Sequence, residues 1–282
     1  MPKSRKKSVV SLFSGALGMD LGFELQGDFE ILACVEVNEA ACETIQTNAE
    51  QGHFAGNPKV FCRDLFELSP QELMNEIGIK PGELDLLVGG PPCQSFSTAG
   101  RRQSVQDRRG TLLWRYLEFV AALRPKSFVM ENVRGLMSAA LKHRPISERP
   151  DKGGAELTDE EVPGSVIAKF VDDLREKTDG HYRVDAFEVN SANYGAPQIR
   201  ERVVFIGNAF GVEVEFPQPT HGVGKGEDQR DLFDRDESEL IPWSTLRDVI
   251  SDVRENDPEL MDFSPRKKGF LSLVPEGGNW RS

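Results

Sequence analysis

Long apolar runs are missing from this 282-residue chain. No stretch of about 18 or more apolar residues occurs, which excludes a spanning helix. The N-terminus MPKSRKKSVVSLFSGALG begins basic, but Ser11 and Ser14 break its short apolar run, so it does not read as a secretory signal. Cysteine is scarce: Cys34, Cys42, Cys62 and Cys93 form no CxxC pair and have no histidine at ligand spacing. That argues against a disulfide framework or a metal site, and for a reducing cytoplasmic location. Histidine is equally sparse, and His53, His143, His181 and His221 all sit in polar or loop-like surroundings. Excess positive charge is lacking too. A net charge of −12 excludes a general nucleic-acid coat, although an enzyme acting on nucleic acid needs only local basic charge. The acid is gathered in Asp151–Glu161 and Lys225–Glu239, and basic residues cluster at Lys3–Lys7 and Arg101–Arg109.

What is present is alternation. Short apolar runs at Val9–Phe13, Ile31–Val35, Val60–Cys62, Leu84–Val88 and Phe128–Met130 predict strands. Helical spacing intervenes at Met19–Gln26, Glu39–Ala49, Pro70–Ile77 and Thr111–Leu123. A helix at Val166–Lys177 and strands at Tyr182–Val189 and Val203–Gly207 follow. The pattern predicts an α/β fold with a mostly parallel, doubly wound sheet, whose ligands bind outside the carboxyl ends of the strands. No internal repeat is visible. Lys142–Gly164 reads as a polar insertion, Gln218–Leu240 as an acidic linker and Thr245–Arg254 as a helix. The expected division is a cofactor-binding and catalytic domain over residues 1–215 and a second region over 216–282.

The residues with chemical potential fall at predicted strand ends: Ser14-Gly15, Glu36, Asp64, Pro91-Pro92-Cys93 and Glu131-Asn132. Gly15 and Gly18 permit close approach of backbone to a ligand, but the spacing is not GxGxxG, so no pyrophosphate cradle is indicated. A tight turn without a ligand explains them as well. Glu36 suits both hydroxyls of a ribose and Asp64 an exocyclic amine. Sugar and adenine without a phosphate site point to S-adenosylmethionine rather than NAD or ATP. In GGPPCQSFS a cysteine stands behind two prolines. A thiol is a weak nucleophile until ionised, and no histidine has a claim on Cys93. Glu131 and Arg200-Glu201-Arg202 are available instead, and a cysteine, a carboxylate and an arginine suit attack on a heteroaromatic ring.

FSGALGMDLGFE, GGPPCQSFSTAG, MENVRGL and QIRERVVFIG, in this order, closely resemble the DNA (cytosine-5) methyltransferase family, from about Val9 to Gly207. The resemblance implies the Rossmann-like fold of S-adenosylmethionine-dependent methyltransferases, with S-adenosylhomocysteine as product. Cys93 matches the nucleophile that adds to C6 of cytosine, and Glu131 the carboxyl that contacts N3 and the exocyclic amine, a task that favours a buried carboxyl of raised pKa. Arg202, with Arg200 behind it, matches the arginines at O2; Pro92, Asn132 and Gln198 belong to the substrate pocket. Phe13, Ser14, Gly15, Ala16, Gly18, Glu36, Val37, Asp64, Leu65, Pro91 and Leu112 match cofactor positions. Ser95, Ser97, Arg101, Arg102, Arg108 and Arg109 match a loop that closes on duplex DNA after the base is flipped out.

Two departures stand out. Leu17 occupies a position where the family usually has glycine, and after PEGGNWRS the sequence lacks the target-recognition region and the last cofactor-pocket helix. The resemblance therefore implies DNA as substrate for a prokaryotic or phage modification system, with a C-terminal half or second subunit as a further partner and no metal or membrane. The alternatives are a tRNA cytosine-5 methyltransferase and a non-catalytic fragment that needs its partner. A cysteine hydrolase is the rival from another class, and it requires a histidine beside Cys93.

Overall fold

A computed structural model describes residues 5–92, 111–223, 240–252, 263–275 and 278. The strands are β1 (Lys7–Leu12), β2 (Phe29–Glu36), β3 (Lys59–Cys62), β4 (Leu86–Gly89), β5 (Ser127–Val133), β6 (Arg183–Asn190) and β7 (Glu201–Asn208). The helices among them are α1 (Asp20–Gln26), α2 (Glu39–Glu50), α3 (Pro70–Ile77), α4 (Thr111–Leu123) and α5 (Ser165–Lys177). The strands form one sheet in the order β3-β2-β1-β4-β5-β7-β6. β1 to β5 run parallel, and β7 is antiparallel to both its neighbours. The mostly parallel α/β sheet expected from the sequence is the fold observed.

The runs are strand-like because both faces of each central strand are covered. Val10, Leu12, Val35 and Leu87 face a core closed by α3, α4 and α5; Val9, Ile31, Cys34 and Val88 face a smaller core with Leu17 and Ile45. The buried residues of α5 are Val166, Phe170 and Leu174, one stripe at four-residue spacing. Tyr116 of α4 is fully buried, its hydroxyl donating to the Val129 carbonyl at 3.1 Å and reaching that of Leu87 at 3.3 Å. Its ring fixes the end of β4, since a β-carbon on Gly89 would meet it at 2.7 Å and the Leu12 carbonyl at 2.9 Å. Only glycine fits there.

The polar insertion holds no strand and only short 3₁₀ turns. It is fastened by Arg144, whose Nε and Nη2 donate to Glu161 at 2.9 and 2.6 Å and whose Nη1 donates to the Ala155 and Glu156 carbonyls. Thr158 N–H and Arg144 together hold the Glu161 carboxyl down at about 2.

The chain divides into two compact units, Met1–Trp243 and Ser244–Ser282. The first runs past residue 215 because β8 (His221–Gly222) pairs with β9 (Ile241–Pro242), pinning both ends of the acidic segment, while Trp243 Nε1 donates to Asn193 at 3.1 Å. In the second unit, α6 (Leu246–Ile250) starts at a capping box of Thr245 and Asp248, and α7 (Pro265–Leu271) is capped by Ser264. The expected Thr245–Arg254 helix is shorter, ending at Ile250, and Arg254 lies outside the described residues.

Candidate active site

The loop after β1 is wired to the end of β2. Ser14 N–H donates to the Val35 carbonyl at 3.2 Å, and the buried Ser14 hydroxyl donates to the Ser11 carbonyl at 3.1 Å. Glu36 is the hub: Oε2 accepts the Gly15 N–H at 2.8 Å, and Oε1 accepts those of Val37 and Asn38, each at 2.9 Å. A carboxylate offers about four lone pairs, so one direction on Oε2 stays open to a ligand. The side chain expected to take a ribose thus also builds the loop. Nothing in the sequence announces these three backbone donors.

Phe13, Gly15 and Leu17 all have positive φ, at 57°, 54° and 64°. Glycine takes this conformation freely, whereas a side chain costs about 1–2 kcal/mol there. Leu17, where the resembled family usually has glycine, compensates by packing at 2% exposure among Val9, Ile31, Ile45 and Val88. Burying a leucine is worth more than the strain, about 3–5 kcal/mol when truncated to alanine. Leu17→Gly is accordingly expected to destabilise the chain by a net ~2 kcal/mol, read as a lower urea midpoint. A higher midpoint would show that strain, not packing, dominates at this position.

A cleft of about 570 Å³ opens between the loop and the ends of β2, β3 and β4, a size that suits a small organic ligand. Phe13, Glu36, Val37, Asp64, Leu65 and Leu112, which the resemblance matches to cofactor positions, line it together with Pro92, which the resemblance puts in the substrate pocket. Val35, Arg63, Phe66 and Gly90 line it too and were not foreseen. Phe66 directly follows the expected Asp64-Leu65, and the Asp64 carboxylate accepts the Phe66 N–H at 3.0 Å. Arg63 reaches Glu72 at 2.6 Å and the Glu67 carbonyl at 3.1 Å, yet its buried Nε has no partner among the described residues. Ala16 and Gly18 are exposed on the loop, and Pro91 is buried.

The far end of the cleft reaches Gly90 and Pro92. There Glu131, near the end of β5, faces Arg202 of β7 across the antiparallel pairing: Arg202 Nε donates to Oε1 at 2.7 Å, and Arg200 Nη2 stands 3.8 Å from the same oxygen. The Glu131 side chain is 30% exposed and flanked by the guanidiniums of Arg202 and Arg200. A β-carbon on Gly90 would lie 3.6 Å from Glu131 Oε2, which sets the carboxylate beside the strand end that leads to Cys93. Asn132, 4% exposed, donates from Nδ2 to the Pro91 carbonyl at 3.0 Å and accepts the Val133 N–H at 2.9 Å. Its contact is with the backbone of the Pro91-Pro92 segment, which it positions. Gln198 is exposed on the approach to β7. Cys93, Ser95, Ser97, Arg101, Arg102, Arg108 and Arg109 lie outside the described residues.

The model of the C-5 cytosine-specific DNA methylase family matches residues 7–268. The chain belongs to that family. Among curated relatives of this C-5 cytosine methylase, the Type II methyltransferase M.AquIA of Picosynechococcus sp. is 35% identical, the match covering 90% of this chain and 91% of M.AquIA. M.NgoFVII of Neisseria gonorrhoeae is 31% identical over 98% of this chain, and M.AgeI of Thalassovita gelatinovora 34% over 86%. The match spans 62% of M.NgoFVII and 50% of M.AgeI. Among solved structures, an Escherichia coli prophage protein described as a DNA modification methyltransferase superposes with a TM-score of 0.57 at 22% identity, over 91% of this chain and 57% of that one. At that identity the likeness concerns the fold, and it is the same α/β sheet.

Proposed function

We propose that the chain is the catalytic part of a Type II modification enzyme that methylates C5 of cytosine in duplex DNA. The observation that carries this reading is the Glu131–Arg202 pair standing against Gly90 at the end of the cleft, three residues before Cys93 in the sequence GPPC. S-adenosylmethionine fits the rest of the cleft: Glu36 has an open acceptor for a ribose, Asp64 faces the cleft as an acceptor for an amine, and Val37 and Phe66 are exposed apolar surfaces for a planar base. When bound, it supplies an electrophilic methyl group and leaves as S-adenosylhomocysteine.

In this mechanism the target base leaves the helical stack, because C6 is out of reach within a duplex. The Cys93 thiolate forms a bond to C6. Glu131 contacts N3 and the exocyclic amine, and Arg202 stabilises negative charge at O2, so that electron density moves to C5. After methylation a base removes the C5 proton, the C5–C6 double bond returns and the Cys93–C6 bond breaks. Asn132 acts through the Pro91 carbonyl, holding the turn that presents Cys93. Arg101, Arg102, Arg108 and Arg109 supply phosphate contacts, with the salt dependence these bring. M.NgoFVII and M.AgeI each extend well beyond the match, which supports a further segment, on this chain's own continuation or on a second chain, as the reader of the target sequence. The reading places the enzyme with its DNA in a prokaryotic cytoplasm.

The decisive experiment is a covalent trap with S-adenosylmethionine and duplex DNA carrying 5-fluorocytosine. Fluorine at C5 blocks proton loss, so a denaturation-resistant adduct is expected, absent with Cys93→Ala. An adduct on tRNA and none on DNA, with or without a C-terminal segment, would overturn the DNA reading.

A further inference from the structure

Three backbone carbonyls in the turn between β3 and α3 are held by arginine side chains. This turn carries Asp64, Leu65 and Phe66, which line the cofactor cleft. Arg63, at its start, donates from Nη2 to the Glu67 carbonyl at 3.1 Å. Arg115 reaches the other two from α4: Nε donates to the Leu65 carbonyl at 3.2 Å, and Nη2 to that of Leu68 at 2.9 Å. Its guanidinium also stands 6.0 Å from the centre of the Phe66 ring and 5.2 Å from that of Phe119. The Arg115 side chain is 16% exposed, so little water competes for these charge-assisted bonds. Nη1 pairs with Glu118, one turn further along the same helix.

An ordinary i,i+3 ion pair accounts for Nη1 and Glu118, whose side chain is 49% exposed. It does not account for a fork closed on two carbonyls 50 and 47 positions earlier in the chain. Lysine would serve the ion pair as well, but the Nε–Nη2 edge offers two parallel donors that lysine does not. Leu112, three residues before Arg115 on α4, is itself a wall of the cleft. Arg115 thus ties the helix that carries one wall to the turn that carries another.

We propose that Arg115 is a positioning residue for cofactor recognition: it sets the Asp64–Phe66 turn against α4 and so sharpens selection of the adenine base. The proposal rests on the cofactor reading given above, in which Asp64 accepts from the exocyclic amine and Phe66 faces the ring. Arg115 acts through the turn, by its backbone and by the Phe66 ring. A hydrogen bond weakens steeply with angle and distance, whereas apolar contact is non-directional. A turn released from α4 therefore loses the amine contact before it loses the ring contact.

The test is calorimetric titration of the full chain with S-adenosylhomocysteine and with S-inosylhomocysteine. The inosyl ligand sets a carbonyl oxygen where adenine has its amine, and so opposes the Asp64 carboxylate. The wild-type chain should prefer the adenosyl ligand by about tenfold or more, the worth of a hydrogen bond to a charged acceptor. Arg115→Ala is expected to lose about that factor for the adenosyl ligand and little for the inosyl one, which closes the preference. Arg115→Lys keeps the charge and loses the fork, so its preference should fall between the two, and it guards against an alanine variant that fails to fold. Glu118→Gln should bind both ligands as the wild type does. An equal loss for both ligands in Arg115→Ala and Arg115→Lys, with the preference intact, would overturn the proposal. So would Glu118→Gln reproducing the alanine result, because the ion pair would then be the cause. A wild-type chain that binds both ligands alike sinks the amine contact of Asp64, and one that binds neither sinks the cofactor reading; either takes the proposal with it before any variant is compared.

Discussion

Arg202→Ala is expected to lower kcat/KM for cytosine methylation by about 10³-fold, the outcome of removing one partner from a partly desolvated, hydrogen-bonded charge pair. Arg202 Nε is the close donor to Glu131, at 2.7 Å, and its side chain is 20% exposed. Without it the Glu131 carboxylate keeps Arg200 alone, at 3.8 Å from a side chain that is 49% exposed. Water screens that longer contact, so Arg200→Ala should cost only a few-fold, on the order of 1 kcal/mol. The asymmetry is the test: both residues belong to one QxRxR motif, in which the resemblance sets Arg202 at the site with Arg200 behind it. Arg202→Lys keeps the charge and loses the fixed planar donor, so it should fall between the two. Single-turnover rates on duplex DNA, with urea unfolding to confirm folding, decide it. Equal losses for Arg200→Ala and Arg202→Ala would show that the pair is held by charge density rather than by the Nε contact.

The sheet was legible because its central strands are buried on both faces, which leaves short continuous apolar runs such as the VV of β1 and LLV of β4. Helix limits were legible where capping chemistry marks them: α3 starts at Pro70 behind the Ser69 cap and stops before Gly78, which takes the left-handed cap. The reversal of β7 was not legible. Strand direction depends on which neighbour the chain returns beside, and β7 enters between β5 and β6 rather than at an edge. That placement is what lets Arg202 meet a residue 71 positions earlier in the chain.

The site was half legible for a related reason. Residue types at strand ends, Glu36 and Glu131 among them, follow from the rule that open α/β sheets bind ligands there. What those side chains hold on to does not follow. The acceptance of three backbone N–H groups by Glu36, the support of Pro91 by Asn132 and the reach of Cys42 to the Glu36 carbonyl are all tertiary contacts. Phe66 and Arg63 were missed because each sits one residue from an expected position, on a turn whose geometry sets which side chains face the cleft.

Asp20→Asn is expected to stabilise the folded chain near neutral pH, a reversal of the usual direction for a buried substitution. Asp20 opens α1 at 1% exposure, with the Ser11 hydroxyl beside it, yet neither Ser11 Oγ nor Asp20 Oδ1 makes a well-formed hydrogen bond. Burial pushes its carboxyl up from 3.8 to about 6. Between those two values the folded chain binds a proton that the unfolded chain has released, so stability falls as pH rises through the window and stays low above it. The penalty above pH 6 is about 3 kcal/mol, since each tenfold difference in proton affinity between the folded and unfolded chain is worth about 1.4 kcal/mol. An amide carries no charge and escapes this cost. It forfeits roughly 0.3–1 kcal/mol of favourable charge at a helix start, leaving a net gain on the order of 2 kcal/mol. Glu161 works oppositely: held down at about 2, its contribution is present above its ordinary value and lost as pH falls toward 2. It does so equally in both proteins and drops out of their difference. Urea midpoints at pH 8, 7, 6, 5 and 4 should therefore show an advantage of Asp20→Asn that is constant down to the carboxyl's own titration and then shrinks away. A deficit of equal size at every pH would mean that Asp20 is neutral throughout and serves the core as a hydrogen-bonding carboxylic acid.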